Sequence, residues 1–74
     1  MPAVSAEAWI HLRQELAATL EDARWRRLPS APALAEALKN MDLLTSPHYR
    51  ERAAQRLRKV LDEYARTFGR HYTH

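Results

Sequence analysis

The stretch PHYRERAAQRLRKVLDEYARTF, Pro47 to Phe68, is framed by Thr45-Ser46 in front and Gly69 behind. Proline suits the first position of a helix, where its missing N–H would have no intrahelical partner anyway. Glycine just past the end supplies the left-handed conformation that terminates many helices. Between these signals Tyr49, Ala53, Ala54, Leu57, Val60, Leu61, Tyr64 and Phe68 recur at intervals of three and four. They line one face over an arc of roughly 140°. With Thr45 as the cap, Leu44 and Tyr49 form a hydrophobic staple; with Ser46, Pro47 stands at the first helical position. Both frames predict a helix over 47–68. Arg58–Asp62, Lys59–Glu63 and Asp62–Arg66 stand four apart and can pair along its surface, at roughly 0.2–0.5 kcal/mol each.

Working back from this helix, Ser5 predicts the start of another over 6–26, because its hydroxyl can accept from a first-turn N–H. Val4 and Trp9 are placed as a staple across that cap. Trp9, Leu12, Leu16, Leu20 and Ala23 share one stripe, while Ile10 and Ala17 lie roughly 100° away and widen the apolar face. Pro29 ends this helix, since the residue before proline is pushed out of the helical region. Ser30 then predicts a shorter helix over 31–41, buried through Leu34, Leu38 and Met41, with Leu43 and Leu44 plugging the core from the turn that follows. Residues 69–74 are expected to form a frayed tail. The expected architecture is all-α: one domain with two long helices and a short one between them. With a single glycine and no alternating apolar run, β-structure finds no support.

A chain of 74 residues buries only about 60% of its unfolded surface, so its stability is marginal. The absence of cysteine excludes disulfides and thiolate zinc sites. A short middle helix cannot cover both long ones. That mismatch predicts an intertwined or packed homodimer, with Trp9, Ile10, Leu12, Leu16, Ala17 and Leu20 as its interface. A third packing partner within one protomer is the plainer reading of the same wide face.

The charge is uneven. Residues 1–28 are neutral and 29–45 carry −1, while 46–74 carry seven basic against three acidic groups, or +4. Arg52, Arg56, Lys59 and Arg66 fall in one sector of the last helix about 80° wide. Such a row suits nucleic-acid phosphates, where binding releases counterions; the plainer reading is a solvated helix face. Arg24, Arg26 and Arg27 flank Trp25, whose ring could stack on a base or hold a guanidinium. Alternatively the first helix frays there and Trp25 folds back beside Leu28 to cap the core.

Other chemistry finds little footing. His71 and His74 could share a metal with His48 or His11, but no carboxylate stands nearby at helical spacing, so no metal or cofactor is expected. Nucleotide-loop, serine-hydrolase and zinc-protease motifs are absent, and His11–Glu15 lacks a nucleophile. A chain this small is not expected to enclose a substrate pocket, and no catalytic residue is assigned. A helix-turn-helix is disfavoured because the connection from Asn40 to Ser46 reads as long and lacks glycine. No signal-peptide pattern or membrane-spanning run is present, so a cytoplasmic location is expected. The leading expectation is a small regulatory homodimer binding DNA through Arg52, Arg56, Lys59, Arg66 and the arginines around Trp25. The alternative is a protein–protein module (adaptor, antitoxin-like inhibitor or docking domain) using the apolar face of the first helix.

Overall fold

Cap chemistry and apolar periodicity place three helices, and a computed structural model that describes residues 4–69 contains them: α1 (Ala6–Trp25), α2 (Ala31–Leu43) and α3 (Pro47–Phe68). The Ser5 hydroxyl accepts from the Ala8 N–H at 3.1 Å, so α1 begins where the sequence predicts. Ser30 and Ser46 hold the cap positions of α2 and α3 without a side-chain cap hydrogen bond. Pro47 stands at the start of α3, and Gly69 ends it with φ of 82°, a left-handed value that favours glycine. The expectation of a frayed tail falls, beyond Gly69, outside the described residues, and with it the His71–His74 pair.

Contacts between helices set the topology. Along α1 and α3, Trp9 meets Arg50, Glu15 meets Arg58, Asp22 meets Tyr64 and Arg26 meets Phe68. The two long helices therefore run parallel and in step. The Arg13–Asp42 pair joins the early part of α1 to the end of α2, so α2 runs back antiparallel to α1. The molecule is 35 Å long, close to the roughly 33 Å of a straight 22-residue helix.

The core is built around α1. Trp9, Leu12, Leu16, Leu20 and Ala23 from α1 pack with Leu34 and Met41 from α2 and with Leu57, Leu61 and Tyr64 from α3. Thr19 is also fully buried; its hydroxyl donates to the Glu15 carbonyl at 2.8 Å, which satisfies it within the helix. Helix α1 packs against both neighbours, whereas α2 and α3 touch each other little and diverge.

Several expectations need correction here. Four of the six residues expected at a dimer interface, Trp9, Leu12, Leu16 and Leu20, are buried within the protomer, and Ala17 is half-buried. Only Ile10, 54% exposed, remains open to a second chain while the fold is intact. Helix α2 runs two residues further than expected, so Leu43 is its last residue and lies 70% exposed instead of plugging the core. Leu44 is half-buried against the core as expected. The buried arc of α3 is narrower than its apolar arc. Tyr49 and Val60, at its edge, are 58% and 45% exposed because α2 does not reach across to them.

The end of α1 shows why Trp25 does not cap the core. The Leu28 N–H donates to the Ala23 carbonyl at 2.9 Å and the Arg27 N–H to the Arg24 carbonyl at 3.1 Å. This Schellman turn sends Leu28 onto the core and leaves Trp25 87% exposed. Its pivot, Arg27, has φ of 57°. A side chain in that region costs roughly 1–2 kcal/mol relative to glycine. Part of that gain is offset by the greater freedom of glycine in the unfolded chain. Arg27→Gly is accordingly expected to stabilise the protein by about 0.5–1 kcal/mol, read as a rise of a few degrees in the thermal midpoint. An unchanged or lowered midpoint would show that the Arg27 side chain makes a compensating contact.

Candidate docking groove and basic face

The divergence of α2 from α3 opens a groove with a volume of about 480 Å³. Its α2 wall is Ala37, Asn40, Met41 and Leu43, continued by Leu44; its α3 wall is Ala53, Arg56, Leu57 and Val60. The wheel explains this composition. At the edge of the α3 apolar arc, Val60 stays exposed beside Ala53 and Leu57, which pack on the core. On α2, Leu43 and Leu44 are adjacent and so about 100° apart, which prevents both from facing a single core. One turns inward and the other stays on the rim.

Arg50 holds the closed end of this groove. Its Nε donates to the Leu44 carbonyl at 2.8 Å, satisfying a carbonyl at the end of α2, while its guanidinium lies 5.2 Å from the centre of the Trp9 ring. One side chain thus ties α3 to the ends of both other helices. Its role has no signature in the sequence, because both partners belong to other elements. The connection it braces is only Leu44-Thr45-Ser46, so the length objection to a helix-turn-helix falls away. The length of α3, 22 residues, still exceeds that of a usual recognition helix.

The expected basic residues divide into two kinds. Arg52, Arg56, Lys59 and Arg66 are exposed on the outer face of α3, and none makes an ion pair among the described residues. The Lys59–Glu63 and Asp62–Arg66 pairs do not form, whereas Arg58 does pair with Asp62 at 3.2 Å and also with Glu15 of α1 at 2.7 Å. Arg26 is committed internally. It pairs with Asp22 at 2.8 Å, donates to the Phe68 carbonyl at 3.4 Å and lies 5.6 Å from the Phe68 ring centre. Arg24 and Arg27 stay exposed, but near the other end of α1, where Arg24 points away from α3. By helical rise, Arg24 and Arg52 are separated by roughly 20 Å along the bundle. Arg66 stands level with Arg24, so it is Arg52 and Arg56 that are held away from the arginines of α1.

Acidic groups near the groove are already engaged or peripheral. Asp42 faces α1, and the Arg13 side-chain hydrogen bond holds its carboxyl below the ordinary carboxylate value. Glu36 stands one turn before Asn40, and Glu63 one turn beyond Lys59, both toward the open end. The opposite end, around Arg52 and Arg56, is cationic. His11 and His48 lie on different helices, and among the described residues no three metal-binding side chains cluster. No helix of the described residues is long and apolar enough to cross a membrane.

Comparison with protein families, with curated proteins and with solved structures returned no match. The functional reading therefore rests on the groove and its rim.

Proposed function

We propose that this protein is a small docking module that binds another protein through the α2–α3 groove, and that it is not an enzyme. The observation that carries this reading is an apolar groove between two helices, floored by the buried Met41 and Leu57 and rimmed by the exposed Leu43 and Val60. A contiguous exposed apolar patch with a polar rim is characteristic of an interaction surface. Among the described residues the groove offers Asn40 and Arg56 as its polar side chains, and no acid–base pair or nucleophile converges on it. A protein partner is also the alternative function expected from sequence, there on the apolar face of α1 with Ile10 and Trp25; most of that face lies in the core, while Ile10 and Trp25 stay exposed.

Affinity purification with the intact protein as bait tests this reading. A genuine partner is recovered by the wild type and lost with Leu43→Lys combined with Val60→Lys, two exposed positions whose replacement leaves the core untouched. Recovery that is indifferent to these substitutions overturns it.

The unpaired row Arg52, Arg56, Lys59 and Arg66 supports a second reading, DNA binding through phosphate contacts. Titration with duplex DNA at several salt concentrations separates the two. Phosphate binding predicts a steep loss of affinity with salt and a shallower slope after Arg52→Ala with Arg56→Ala. Absence of binding at low salt removes the DNA reading. A homodimer, the assembly expected from the apolar excess, has the groove, Ile10, Trp25 and Tyr49 as exposed apolar surface to use, and light scattering across a concentration series reports it.

A further inference from the structure

We propose that the occupant of the α2–α3 groove is an acidic amphipathic helix of a partner protein, its apolar side chains seated on Leu43, Leu57 and Val60 and its carboxylates over Arg52, Arg56 and Lys59. This rests on the docking reading above and names the chemistry of the partner.

The groove's shape selects a helix. Both walls are helices whose backbone groups are hydrogen-bonded internally, so an extended segment finds no strand edge to pair with. Only an occupant that satisfies its own backbone can lie in an apolar trough without leaving polar groups unpaired, and a helix does so. The walls run from Leu44 and Ala53 at the closed end to Ala37 and Val60 at the other. At 1.5 Å per residue that is roughly 10–11 Å, or two helical turns. Two turns accommodate apolar anchors at positions i, i+4 and i+7, the pattern by which helices occupy grooves.

Charge selects an acidic helix over the other occupants. Among the described residues Arg56 is the one ionisable side chain lining the groove, and Arg52 and Lys59 flank it on the outer face of α3. The nearest carboxylate on the α2 wall, Asp42, is turned away and held by Arg13. A second copy would bring three more cations to the same interface without a carboxylate in either groove lining, and like-charge juxtaposition opposes association. A nucleic acid would satisfy the cations yet leave Leu43 and Val60 in water. An acidic amphipathic helix complements both the strip and its rim.

The test uses the intact protein and two fluorescein-labelled helical peptides of about fourteen residues, matched in their leucines at i, i+4 and i+7. One carries glutamates on its flanks and the other lysines. Fluorescence anisotropy is expected to show the acidic peptide binding at least about tenfold more tightly than the basic one. Leu43→Lys is expected to weaken it by about tenfold or more, and Arg52→Glu with Arg56→Glu to reverse the preference. Circular dichroism confirms that each variant stays folded, as these side chains are exposed.

Equal binding of both peptides, or tighter binding of the basic one, overturns the acidic partner while a Leu43→Lys effect would keep the docking reading. Concentration-dependent dimerisation abolished by Leu43→Lys assigns the groove to a second copy and overturns the proposal. Binding of duplex DNA with no binding of either peptide overturns both the proposal and the docking reading.

Discussion

Leu16→Ala is expected to bring the protein to the edge of unfolding. Leu16 is fully buried at the centre of the α1 stripe, the helix on which both neighbours pack. Truncating such a leucine removes buried methyl groups and leaves a cavity that the surroundings fill only in part, at about 3–5 kcal/mol. The total stability of a 74-residue chain is about 4–11 kcal/mol at 0.05–0.15 kcal/mol per residue. One substitution therefore consumes a large part of it, and a fall of about 15–30 °C in the thermal midpoint is expected at 4–8 °C per kcal/mol. Leu43→Ala is the control: its exposed side chain predicts a change within about 0.5 kcal/mol. The contrast also separates core from interface. If Leu16 served chiefly to join two chains, Leu16→Ala would lower the dimer's mass and leave a folded monomer at low concentration. Loss of helical signal independent of protein concentration identifies it as core.

The legible parts of this fold are those whose causes are local. Helix α3 is placed residue for residue because Pro47 and Gly69 mark its ends and the apolar spacing between them never slips. Helix α2 has no comparable stop signal. Its end at Leu43 depends on Arg50 reaching back to the Leu44 carbonyl, a contact from another helix that no spacing rule contains. The same limit applies to burial. A helical wheel shows that Tyr49 and Val60 share the apolar arc of α3, but only the position of α2 determines that they stay exposed.

Charge pairing divides along the same line between local and distant causes. The Arg58–Asp62 pair follows from spacing alone, whereas Glu15–Arg58 joins residues far apart in sequence and fixes the parallel alignment of α1 with α3. Arg26 carries a local signal that distinguishes it from Arg24 and Arg27. Asp22 stands four residues ahead of it, a spacing that permits a helical ion pair, and contact with Phe68 of α3 holds Arg26 beside it. The groove had one sequence signal, the adjacent pair Leu43-Leu44, which a single core face cannot absorb. Its occupant had none, because an uncovered surface arises from the mismatch between helices rather than from any one of them.

Asp22 carries the second large effect. Its side chain is 10% exposed and accepts both the Tyr64 hydroxyl and the Arg26 guanidinium, so it joins α1 to α3 near the end opposite Arg50. Hydrogen bonds to a charged group contribute about 1.5–3 kcal/mol, and removing the carboxylate deletes the Tyr64 hydrogen bond and the Arg26 ion pair together. Asp22→Ala is expected to cost about 2–4 kcal/mol, measured by urea unfolding with an unchanged m-value. Tyr64→Phe removes the donor cleanly and should cost about 1.5–3 kcal/mol. Because the two changes delete the same bond, the double variant should lose less than the two single losses combined, by about 1 kcal/mol or more. Asp22→Asn keeps an acceptor for Tyr64 but not the charge for Arg26, and it should fall between wild type and Asp22→Ala. Strict additivity in the double variant would mean that Asp22 and Tyr64 stabilise the protein independently. In that case the alignment of α1 with α3 would rest on the buried leucines and the Glu15–Arg58 pair.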